Sequence, residues 1–111
     1  MVKTRTVILS SDGSGDAVAT LSANGIIRQL LIVNDSVATP TTLWDLTIAD
    51  LNGTQVYQNL NVSIAGNTVA IPTLAGTAGN TEYPYTVAGT ITFTGANMGA
   101  SKIATVVLYL E

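Results

Sequence analysis

Between Tyr85 and Thr94, Val87, Gly89, Ile91 and Phe93 fall on one side of the chain, and Thr86, Thr90, Thr92 and Thr94 on the other. A period of two belongs to an extended chain, whose successive side chains point to opposite faces. The same rule places Trp44, Leu46 and Ile48 inward and Asp45 and Thr47 outward. It recurs from Thr4 to Leu9 and from Ala17 to Ala23. Ile26–Val33, interrupted only by Arg28 and Gln29, and Ile103–Leu110 are apolar on both faces, the pattern of central strands. Shorter strands are expected around Thr54–Tyr57, Val62–Ile64 and Val69–Ile71. Glycine-rich clusters punctuate these runs, and Asn24-Gly25 predicts a two-residue type I′ hairpin because both residues tolerate φ > 0. No segment carries a helical period, and Pro40 with the threonines behind it argues against a helix over Ala38–Asp50. About eight strands at this spacing predict an all-β chain, a single antiparallel β-sandwich or jelly-roll-like domain over residues 1–111.

Composition narrows the chemistry. With no His and no Cys, the chain has no thiol nucleophile, no histidine base, no Cys/His zinc site and no disulfide scaffold. Four Lys and Arg against seven Asp and Glu, a net charge of −3, argue against nucleic acid as a partner. Mean hydropathy is +0.42, yet no apolar run approaches the ~18 residues of a spanning helix, so no membrane partner is expected. Lys3 and Arg5 precede only Val7-Ile8-Leu9, too short for a secretory leader, so a chain made and kept in a cytoplasm is expected. Only 10% of residues are charged, against about 25% in ordinary domains. A surface so poor in charge points to burial of part of it in an assembly.

No catalytic, cofactor-binding or metal-ligating residue emerges, and the chain reads as non-enzymatic. Asp12-Gly13-Ser14-Gly15-Asp16 spaces oxygen ligands as a calcium loop does, but Ala17 and Ala23 stand where its glycine and closing acid belong, so a plain turn is expected. Ser101-Lys102 is expected to be a strand start beside a turn, and Asp45 and Asp50 would face opposite ways on one strand. The candidate interface residues are Arg5, Arg28, Tyr57, Tyr83, Tyr85 and Tyr109. Tyrosine buries a large ring while keeping a polar tip, which suits interfaces, sugar platforms and the capped ends of a sandwich alike. An arginine inside an apolar strand wants a carboxylate, from its own chain or across a subunit boundary, unless it lies on the outer face. Trp44 is expected in the core. The last strand must be covered on both faces, by a central place in its sheet or by a partner.

Laid out in order, Asn24-Gly25-Ile26-Ile27-Arg28, Leu46–Gly53, Val87–Thr94 and Ile103–Tyr109 resemble the small all-β virion proteins of tailed bacteriophages, especially head decoration (cement) proteins. The resemblance implies a structural protein on the capsid exterior, a homotrimer bridging major capsid subunits or other virion proteins, without cofactor. Two other readings stay open: a phage tail, adaptor or fibre component, and a carbohydrate-binding module using Tyr83, Tyr85 or Trp44.

Overall fold

The computed structural model describes residues 2–41, 43–70, 73–75 and 82–111, with 73–75 and 82–84 described by backbone alone. Its strands are β1 (Lys3–Ser10), β2 (Ala17–Asn34), β3 (Trp44–Ala49), β4 (Gln55–Val62), β5 (Thr68–Ala70), β6 (Thr73–Ala75), β7 (Glu82–Pro84), β8 (Thr86–Ala96) and β9 (Ile103–Leu110). Among the described residues there is no helix, and hence none long and apolar enough to cross a membrane. Seven strands form one antiparallel sheet in the order β1-β9-β2-β8-β3-β4, with β5 on β2; β6 and β7 pair separately.

The expected two-sheet sandwich is replaced by one curled sheet, a half-barrel. The cause is β2. Its residues 17–26 pair with β8 and its residues 27–34 with β9, so one 18-residue strand serves both halves of the molecule. Asn24-Gly25 is therefore no hairpin. Gly25 stands at φ 135°, and a Cβ there would lie 2.9 Å from the Glu111 carbonyl oxygen. The freedom that would close a type I′ turn instead bends a continuing strand past the end of β9. Ile26 and Glu111 exchange backbone hydrogen bonds at 2.9 Å in both directions, which holds the bend.

A bulge follows between Ile27 and Gln29. The extra residue, Arg28, shifts the phase of alternation: Ala23 and Ile27 point inward before it, Leu30 and Ile32 after it. Strands that pass from one layer to another commonly turn the corner by such bulges.

The core fills the hollow of the curl. Leu9, Leu30, Ile32, Trp44, Leu46, Ile48, Phe93, Val106 and Leu108 are all fully buried. Trp44, inward as its alternation predicts, donates from Nε1 to Asn34 Oδ1 at 2.9 Å, so its polar tip is satisfied where β2 ends. Met98 is also fully buried although it sits in the loop between β8 and β9. That loop is stapled to the β1–β2 connection. Ser11 Oγ donates to the Gly99 carbonyl and accepts from the Lys102 amide, and the Met98 amide donates to the Gly15 carbonyl. Asn52-Gly53 makes the expected turn between β3 and β4, with Asp50 Oδ1 accepting from the amides of Asn52 and Thr54 at 2.9 Å.

Candidate interface

β9 lies between β1 and β2, so its inner residues Ala104, Val106, Leu108 and Leu110 are buried. Its outer residues Ile103, Thr105, Val107 and Tyr109 are only half-buried. Central placement, one of the two expected ways to cover this strand, thus covers its edges and one face. Register extends the outer face sideways. Ile8 of β1 lies opposite Thr105 and Thr6 opposite Val107; on β2, Leu31 lies opposite Val107 and Val33 opposite Thr105. Val69 of β5 lies opposite Leu31. Ile8 is 59% exposed and Val69 60%. No charged residue of β1, β9 or β5 points to this side, and Arg28 stands at its border on the bulge.

The expected interface residues fall into separate places. Tyr109 alone sits within the apolar face, between Thr4 and Gln29 in the register. Tyr57 is half-buried on β4, where its hydroxyl accepts from Asn59 Nδ2 at 3.3 Å. Tyr85 is buried and donates its hydroxyl to Asp50 Oδ2 at 3.1 Å. Burial first, then the Asp50 hydrogen bond and charge, push its phenol above the usual tyrosine range. The Tyr83 side chain lies outside the described residues.

Arg28 finds its carboxylate within the chain. Its Nε and Nη2 both donate to Glu111 Oε1, at 2.8 and 2.6 Å. The bulge makes this possible by turning Arg28 outward beside the end of β9, and the intersubunit alternative is not needed for this residue. Arg5 is exposed and points, with Lys3, to the inner side of β1.

The Asp12 loop is a turn tied to itself. Asp12 Oδ1 accepts from the amides of Ser14 and Asp16, at 2.8 and 3.1 Å. Those bonds, Asp16's first, hold the carboxyl below its usual range. Asp35 is held low in the same way by the amides of Ala38 and Val37. Ser101 stands in a turn at φ 59°, ahead of β9.

The apolar face was only half visible in the sequence. The two-faced pattern of β9 signalled it, but the contributions of Ile8, Leu31 and Val69 depend on register and on the bulge. What the face can do is exclude water against a partner over a wide area without a charge to desolvate.

No protein-family model and no curated protein sequence matches the chain. Among solved structures it is similar to the Aeromonas hydrophila periplasmic inhibitor of g-type lysozyme, PliG, at 12% identity over 96% of this chain and 85% of that one, with a TM-score of 0.47. PirA is similar at 12% identity over 96% and 92%, with a TM-score of 0.45. The virus-like particle of extra small virus of the giant freshwater prawn Macrobrachium rosenbergii is similar at 18% identity over 97% and 78%, with a TM-score of 0.32.

Proposed function

We propose that this chain is a non-enzymatic virion structural protein, a decoration (cement) protein that binds the outer surface of a tailed-phage head as an oligomer and stabilises it. The observation that carries the reading is the apolar outer face of the β9 half, where half-buried Val107, Ile103, Leu31 and Val33 lie among the exposed Ile8 and Val69, with Tyr109 towards its Arg28 border. A protein that bridges shell subunits needs breadth of contact more than a reactive group. Several copies held together multiply modest contacts through effective concentration.

Burial removes two of the three rings of the sugar-binding alternative, since Trp44 is fully buried and Tyr85 nearly so, and neither can stack on a ligand; the third, Tyr83, has its side chain outside the described residues. A tail, adaptor or fibre component differs by copy number. Quantitative mass spectrometry and antibody labelling of purified particles separate the two. Copies in numbers comparable to the major capsid protein, spread over the head, are the expected result. A few copies at one vertex would move the protein to the tail or its adaptor. Absence from particles would overturn the reading altogether.

A further inference from the structure

Lys3 and Arg5, two of the four cations in the chain, share the inner face of β1 with Val7 and Leu9. Val7 and Leu9 are 8% and 0% exposed, so this face enters the core at one end and leaves it at the other. Among the described residues β1 pairs in a ladder with β9 alone, and residues 17–26 of β2 with β8 alone, Ile26 also exchanging backbone hydrogen bonds with Glu111. The two strands are joined by a short turn, so they run back side by side with no ladder between them. The seam opens into a cleft of about 200 Å³ lined by Lys3, Arg5, Ser22, Ala23, Asn24 and Leu110.

The chemistry of the lining is one-sided. Among the described residues neither Lys3 nor Arg5 makes an ion pair, and Glu111, the acid that follows Leu110, is engaged by Arg28. Two cations, a hydroxyl and an amide around a small cleft suit a carboxylate. The other end of the same strand pair carries one. Asp12 spends a carboxylate oxygen on the turn, whereas the Asp16 carboxylate is exposed and has no hydrogen-bond or ion-pair partner among the described residues. Cleft and tip are separated by the length of β1, on the order of 25 Å for eight extended residues. They cannot meet within one chain.

We propose that this cleft is a carboxylate-binding site filled by Asp16 from the turn of a second copy, in a head-to-tail contact. Such a contact joins two different patches and closes into a ring when its rotation permits, as a homotrimer requires. The inference rests on the oligomeric part of the reading above, but not on the particle. Particle copy number and self-association are measured separately and can fail separately.

The test is charge reversal with rescue, read by light scattering and sedimentation at low and high salt. Wild-type protein is expected to associate at low salt, with a dissociation constant that rises roughly tenfold or more at high salt. Lys3→Glu with Arg5→Glu, and separately Asp16→Lys, are each expected to give monomers. Mixing these two variants is expected to restore association between unlike copies, Asp16 of one entering the unchanged cleft of the other, but not to close a three-membered ring, which always leaves one contact between like copies. Circular dichroism checks that each variant is folded, and Arg5→Gln serves where a reversal is not. Added succinate, a free dicarboxylate, is expected to compete and to shift the amide signals of Ser22 and Asn24. A monomeric wild type at low salt, loss without rescue, or succinate binding without self-association would each overturn the proposal. Lys3 and Arg5 would then be edge charges that keep β1 from pairing.

Discussion

Outside β9 the chain presents Ile103, Thr105, Val107 and Tyr109; outside β8 it presents Thr86, Ala88, Thr90, Thr92 and Thr94. The flanking strands deepen the contrast. Val107 is framed by Thr6 and Leu31, whereas Thr92 is framed by Thr20 and Ala49. The inner faces do not differ in this way: Val106 and Leu108 are as fully buried as Ile91 and Phe93. Threonine is therefore sufficient to cover the pleated outer surface of this sheet and leave it wet. On the function proposed above, a contact surface accounts for the apolar residues on the other half.

Both outer faces stand on one shared core, and the largest expected effect tests this. Phe93→Ala removes a fully buried ring on the threonine half. It is expected to lower stability by about 3–5 kcal/mol. In urea, Trp44 fluorescence and far-ultraviolet circular dichroism should still report a single transition. Two separated transitions would mean that the halves fold independently, and the comparison of their outer faces would lose its common reference.

The bend that joins the halves comes next. Gly25→Val puts a branched side chain at φ 135° with its Cβ 2.9 Å from a backbone oxygen. A loss of about 2–3 kcal/mol is expected from strain at a single backbone position. A variant as stable as wild type would show that the bend is not where the chain is held.

How much of this was legible depended on how local each signal was. The inner faces of β3 and β8 could be read directly, since alternation places Trp44, Leu46, Ile48, Ile91 and Phe93 without knowledge of their partners. Asn24-Gly25 misled because φ > 0 serves a hairpin and a bend equally well. Only the partners of Ala17–Ala23 and Ile27–Asn34, both distant in sequence, decide between them. The bulge at Arg28 left no local mark, so neither the ion pair to Glu111 nor the outward phase of Leu31 and Val33 could be foreseen. Lys3 carries no local mark of an interface residue, because its place beside Ser22 and Asn24 arises from the curl.

Paired substitutions sharpen the contrast between outer faces. Val107→Glu and Thr92→Glu place the same charge on half-buried outer positions of the two halves. Each is expected to change stability by about 1 kcal/mol or less, as surface substitutions do. Their effect on the binding of protein to particles should diverge: Val107→Glu lost into the unbound fraction, Thr92→Glu retained. Equal retention would remove the apolar face as the contact surface.

The most local expected effect concerns Tyr85, which links the Asp50 turn of the threonine half to the bend, since the Ile27 amide donates to its carbonyl at 2.8 Å. Tyr85→Phe removes the hydroxyl that bonds Asp50 Oδ2 and is expected to cost about 1 kcal/mol near neutral pH. The difference narrows in alkali. Burial and the Asp50 carboxylate raise the folded phenol above its ordinary 10.0. The unfolded chain therefore releases this proton first, and the folded state binds more protons than the unfolded one over that interval. Stability carried by Tyr85 is complete below the ordinary value and falls as pH rises through the raised one, whereas the phenylalanine variant has nothing to lose there. Urea midpoints for the two proteins should converge as pH passes 10.0. A constant gap would mean that the phenol ionises alike in both states, so that the link to Asp50 is not maintained in solution.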